Sequence, residues 1–143
     1  MSILGFSFNG SEIYLTFFTN KEEWQINADK FTLSDDSGHS LRELYNYIEL
    51  YLDRIGNVNM FVLETASSGP HMPSLARVKA EGVIDLVIAD RGLSRILKKI
   101  KTQKRKKHYV RLPENLEWQR LRCQKYFAKI DQIVAYLILE GHI

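Results

Sequence analysis

With 143 residues, of which 45% are hydrophobic and 26% charged, the chain is long enough for one domain (residues 1–143) with its own core and too apolar for a disordered polymer. One cysteine, Cys123, excludes an internal disulfide framework, and no apolar run reaches the length of a bilayer span. The net charge of +3 is small but unevenly placed: Arg91, Arg95, Lys98, Lys99, Lys101, Lys104, Arg105, Lys106 and Lys107 fall together with Asp90 as the only acid beside them, so the remainder is net acidic. The N-terminus lacks the basic start and long apolar region of a signal peptide, so the expectation is a cytoplasmic protein without membrane contact.

Residues Ile3 to Phe8 and Ile13 to Phe18 are two β-like runs around Asn9-Gly10, a dipeptide suited to a two-residue hairpin turn. Trp24 to Leu33 alternates apolar and polar residues with one slip of phase, as an antiparallel third strand would. Ser34 to Gly38 breaks the pattern, and Ser37 or Ser40 can cap the helix that follows. From Ser40 to Ile55, Leu41, Leu44, Tyr45, Ile48, Tyr51, Leu52 and Ile55 recur at three and four, and Gly56 ends this amphipathic helix.

Asn59-Met60-Phe61-Val62-Leu63-Glu64 then has the continuous apolar run of a strand buried on both faces, and it ends in a carboxylate. Side chains at the carboxyl ends of central strands face the crevice where ligands bind in open α/β sheets, which makes Glu64 a candidate for chemistry. After the loop through Pro73 a second helix is expected over Leu75 to Val87, with Gly82 against it and Val83 to Ile88 able to form a strand instead. Leu93, Ile96, Leu97 and Ile100 suit a short helix with a basic outer face. His108 to Leu112 reads as a short strand, and apolar residues from Leu116 to Ile138 as a long or broken final helix.

This order predicts an α/β ribonuclease H-like fold: a mixed five-stranded sheet of three antiparallel strands followed by helix–strand units, with helices on both faces. Ile3 to Ser11 resembles the opening strand and turn of RuvC-type Holliday junction resolvases, and Phe61-Val62-Leu63-Glu64 resembles their fourth strand with its catalytic Glu. Asp131 to Leu137 is similar to the start of their last helix, and the closing Val134-Ala135-Tyr136 is closer still to a small bacterial branch of that superfamily.

The resemblance implies cleavage of phosphodiesters by two Mg²⁺ ions roughly 3.5–4 Å apart, held by hard oxygen ligands. Carried over residue by residue, the catalytic and metal-binding positions are Glu64 and Asp131, while the first-strand Asp falls on Ser7 and a second helix acid on Val134. Ser7 is neutral and cannot balance two divalent ions. Glu12, Asp35, Asp36 or His71 could substitute in space, and Asp131 could equally be an ordinary helix acid beside Lys129.

The basic stretch is the second candidate, because clustered Lys and Arg attract phosphate backbones through counterion release. Arg95, Lys98, Lys99, Lys101, Lys104, Arg105, Lys106 and Lys107 would contact phosphates, and Tyr109 and Arg111 would add stacking or further phosphate contacts. The resemblance puts this region on the rim of the active-site cleft. The alternative is a solvated charged face. The sequence thus points to a nucleic-acid-binding domain, for DNA before RNA, with a degenerate nuclease centre and weak Mg²⁺ binding at most. Two other readings stay open: a working Mg²⁺-dependent nuclease, and a homodimeric interaction module built on Tyr45, Tyr47 and Tyr51.

Overall fold

The computed structural model describes residues 2–20, 24–66 and 74–101. Strand β1 (Ser2–Asn9) pairs antiparallel with β2 (Glu12–Asn20), which pairs antiparallel with β3 (Trp24–Thr32). The tight turn lies one residue later than expected: Asn9 pairs with Glu12, and the two central residues are Gly10 and Ser11. Gly10 takes φ of 60°, which suits a two-residue turn with glycine at its first central position.

Helix α1 (Gly38–Ile55) follows, opened by Ser37, whose hydroxyl accepts the Ser40 N–H at 3.3 Å. Gly56 closes it at φ of 77°, donating its N–H to the Leu52 carbonyl at 3.1 Å. Strand β4 (Met60–Thr65) then runs parallel to β1, giving the chain its crossover. Helix α2 (Leu75–Asp90) is continuous through Gly82, so the strand alternative for Val83 to Ile88 is not taken. The Ser74 hydroxyl accepts the Arg77 N–H and fixes the first turn of α2. None of the described helices is long and apolar enough to cross a membrane.

The stretch after Gly92 is not the expected helix. Only Ser94–Ile96 forms a 3₁₀ turn, and Leu97–Lys101 becomes strand β5, parallel to β4. The reason lies in the spacing of Leu97 and Ile100. Three residues apart, they share a side in a helix but lie on opposite faces of a strand. Leu97 packs against the main core and Ile100 is buried without joining it, as a strand between two layers requires. β5 also satisfies the open backbone edge of β4. The five-stranded mixed sheet has the order β3-β2-β1-β4-β5. Its fifth described strand is thus residues 97–101; the expected strand at His108 to Leu112 and the final helix lie outside the described residues.

Both described helices pack on one face of the sheet. Leu4, Phe6 and Phe8 of β1, Ile13, Leu15 and Phe17 of β2, and Phe61 and Leu63 of β4 meet Leu44, Ile48 and Leu52 of α1 and Ala80, Ile84, Val87 and Ile88 of α2 in one cluster. The alternate residues Ile3, Ser7, Thr16, Phe18 and Val62 occupy the other face and are buried too. Arg91, at the C-terminal end of α2, donates to the Glu49 and Asp53 carboxylates of α1 and binds the two helices together.

Two stability measurements check this architecture. Gly82 is exposed inside α2, and an added Cβ would meet nothing within 4 Å. Gly82→Ala should therefore raise unfolding stability by roughly 0.5–1 kcal/mol in urea titration. Asp35 accepts hydrogen bonds from the Ser37 and Ser40 hydroxyls and from the Ser37 N–H, which hold its carboxyl at about 2 instead of the ordinary 3.8. A lowered carboxylate contributes stability above its ordinary value and loses it as the pH falls toward its folded value. Asp35→Asn should accordingly flatten the fall of the urea midpoint measured from about pH 5 down to about pH 2.

Candidate functional site

Phe61, Val62 and Leu63 carry β4 through the centre of the sheet, and the strand delivers Glu64 at its carboxyl end with only 1% of its surface exposed. An isolated carboxylate at such burial is expensive, so a counter-charge is required. Arg77, in the first turn of α2, supplies it: Nη2 donates to Glu64 Oε1 at 3.0 Å. The same guanidinium donates through Nε to Glu81 Oε1 at 3.2 Å, one helical turn onward. Glu81 Oε1 also accepts the Ala66 N–H at 2.8 Å, tying α2 to the chain just beyond β4. The Arg77 guanidinium carbon lies 5.0 Å from the centre of the Phe8 ring, a cation–π contact with the end of β1. Thr65 Oγ1 donates to the Ile100 carbonyl at 3.1 Å and binds the end of β4 to β5.

Ser7 stands beside this cluster. Phe6 and Leu63 are registered partners, and the next residue on each strand is Ser7 and Glu64. Ser7 is fully buried, and its Oγ has no hydrogen-bond partner among the described residues; the same holds for Thr16 Oγ1 on the same face of the sheet. The first-strand and fourth-strand positions singled out in the sequence are thus adjacent. Asp131 lies outside the described residues, as does His71.

The other acids considered as substitutes are engaged elsewhere. Glu12 accepts from the Tyr14 hydroxyl and from Lys30, and the Tyr14 hydrogen bond leads in holding its carboxyl below the usual range. Asp35 serves the entry to α1, and Asp36 pairs with Lys79 at 3.3 Å. Among the described residues no group of three or more His, Cys, Asp or Glu side chains is placed to hold a metal ion. With one neutral hydroxyl, one buried carboxylate and a guanidinium already bonded to it, the described donors do not fit the two-Mg²⁺ arrangement that the resemblance implies.

The basic candidates divide. Lys99 Nζ, on an exposed side chain, pairs with Asp85 of α2 at 2.6 Å. Arg95 and Lys101 are exposed, and Lys98, registered with Val62, is half-buried on the opposite face of β5 from Lys99. Lys104, Arg105, Lys106, Lys107, Tyr109 and Arg111 lie outside the described residues. The three tyrosines of the interaction-module reading take part in internal contacts: Tyr51 is buried, Tyr47 stacks at 6.4 Å on Tyr51 and lies 4.9 Å from Phe31, and Tyr45 donates to Asp90 at 2.6 Å. The Asp90 bond leads in pushing the Tyr45 hydroxyl up to about 12.

Arg77 and Glu81 were not among the candidate residues. The signal available was an arginine in the first turn of a helix, where the macrodipole disfavours a cation, followed four residues later by an acid.

No protein-family model and no curated protein sequence matches the chain. Solved structures do. RuvC of Thermus thermophilus in complex with Holliday junction substrate is similar with a TM-score of 0.70 at 9% identity, covering 99% of this chain and 98% of that one. A second Thermus thermophilus RuvC structure gives the same TM-score of 0.70 at 10% identity over 99% and 98% of the two chains. The yeast mitochondrial Holliday junction resolvase Ydc2 is similar at a TM-score of 0.50 and 10% identity, covering 91% of this chain and 62% of that one. At these identities the likeness concerns architecture alone: this chain has the RuvC-like form of the ribonuclease H fold.

Proposed function

We propose that the protein is a nucleic-acid-binding domain whose nuclease centre is degenerate. The observation that carries this reading is the state of Glu64: the carboxylate at the end of β4 is paired with Arg77, beside a neutral Ser7. That arrangement suits a site retained in shape but not equipped to gather divalent ions. The binding half of the proposal rests on the fold it shares with a RuvC that has been solved with a Holliday junction substrate, and on the basic stretch, which reaches the end of β4 at Lys101, registered with Thr65.

On this reading phosphate contacts come from exposed Arg95 and Lys101, from Lys98, and from the run Lys104 to Lys107 with Tyr109 and Arg111 beyond it. Such contacts are electrostatic and largely independent of base sequence. DNA is the expected partner. Lys99 contributes less, because its ammonium is already paired with Asp85.

The test measures binding of labelled single-stranded, duplex and four-way-junction DNA with and without Mg²⁺, looking for cleavage in the same reactions. Affinity should fall at least about tenfold between about 50 and 200 mM salt, since each phosphate neutralised adds close to one unit to the logarithmic salt slope. Replacing Lys104, Arg105, Lys106 and Lys107 together by Gln should weaken all DNA forms alike and reduce that slope, with no cleavage at any stage. Mg²⁺-dependent cleavage abolished by Glu64→Gln would establish a working nuclease instead, and absence of binding at low salt would remove nucleic acid as the partner.

A further inference from the structure

We infer that Arg77 is a built-in cation, occupying with its guanidinium the place beside Glu64 that a divalent metal ion would need, so that the crevice binds neither Mg²⁺ nor Mn²⁺ at Glu64. This deepens the degenerate-centre reading, on which it rests, by naming what fills the site. The argument starts from burial. Glu64 is 1% exposed, so a charged carboxylate there has to be balanced from within the crevice, by a bound cation or by a basic side chain. Arg77 meets the requirement at 3.0 Å.

The guanidinium is also held from two further directions, and the backbone that carries it is fixed by a third contact. Glu81 bonds its Nε, the Phe8 ring lies beneath it, and the Ser74 hydroxyl bonds the Arg77 backbone N–H at the start of α2. A side chain held in this way loses little further freedom in its bonded position and is not readily displaced by a hydrated ion that binds only weakly to one carboxylate. It also repels any second cation approaching Glu64.

Removing the charge of Arg77 should reverse this. Glu64 and Glu81, which both bond the same guanidinium, would then face one gap with oxygen ligands and without its positive charge. The full-length protein is titrated with Mn²⁺ and followed by electron paramagnetic resonance, alongside DNA binding by the same samples. Wild type should show no Mn²⁺ binding that Glu64→Gln removes. Arg77→Met should bind Mn²⁺ at least about tenfold more tightly than wild type, because a unit positive charge a few ångströms from the ion has been taken away. The gain should vanish in Arg77→Met/Glu64→Gln and should not appear in Arg77→Lys, which keeps the charge.

A Glu64-dependent Mn²⁺ site in the wild type overturns the inference, and that measurement needs no variant lacking Arg77, so it stands even where Arg77→Met fails to fold. A folded Arg77→Met that gains no Mn²⁺ binding also overturns it. Neither result bears on DNA binding. Loss of DNA binding in the wild type would sink the proposed function while leaving the role of Arg77 intact.

Discussion

A carboxylate with 1% of its surface exposed is tolerable only beside a positive charge, and the arrangement of β4 and α2 meets that requirement. Arg77 sits in the first turn of α2, so that turn lies against the end of the strand that carries Glu64. The Ser74 cap fixes where that helix begins, Glu81 takes the other side of the guanidinium, and the Ala66 N–H bonds Glu81 in turn. Strand end, loop end and helix start are thus joined in one chain of bonds, with Phe8 bringing in β1. Pairs of this kind add little net stability over an apolar packing of similar shape, but breaking one partner away leaves a stranded charge. The interaction therefore acts mainly as a determinant of geometry.

The far end of α2 has a second arginine with a different task. Arg91 bonds Glu49 and Asp53 on α1, and Tyr45 of α1 bonds Asp90 just before it. The Asp53 bond leads in raising the Arg91 guanidinium still further above neutrality. Helix α2 is therefore held to the sheet at its start and to α1 at its end, with Ala80, Ile84, Val87 and Ile88 filling the interval. This changes the meaning of the basic stretch. Arg91 and Lys99 pair with acids within the domain, so the exposed basic side chains of the stretch that carry no such pairing among the described residues begin at Arg95 and continue at Lys101.

What could be read from the sequence follows the range over which each signal acts. The hairpin, α1 and β4 are written in local patterns: a glycine-bearing turn, a stripe at three and four, an apolar run closed by turn residues. Glu64 was legible for the same reason, since its place at a strand end is a local fact. β5 was misread because Leu97 and Ile100 satisfy a helical stripe and a two-faced strand equally well, and only the open edge of β4 decides between them. Arg77 was invisible as a site residue because its partner is 13 positions back on another element. It did, however, break a local rule, standing as a cation at a helix N-terminus with no acid in the first turn. A breach of that kind is where a tertiary partner is to be sought.

Ser7 and Arg77 are best understood together. Among the described residues, Glu64 and Glu81 bring two negative charges to the crevice and Arg77 one positive. A carboxylate at position 7, adjacent to Glu64 across the β1–β4 pairing, would add a third negative charge that one guanidinium could not balance. Divalent ions could balance it, but a fixed guanidinium competes with them for the same space. A neutral residue at position 7 and a basic residue at 77 are therefore consistent with one another, and each is unfavourable without the other: a serine alone would leave Glu64 and Glu81 poorly compensated, and an arginine alone would stand in the way of the ions a fuller acidic set requires. The buried Ser7 hydroxyl, lacking a hydrogen-bond partner among the described residues, marks the polar position that this solution leaves in the otherwise apolar buried run from Ile3 to Phe8.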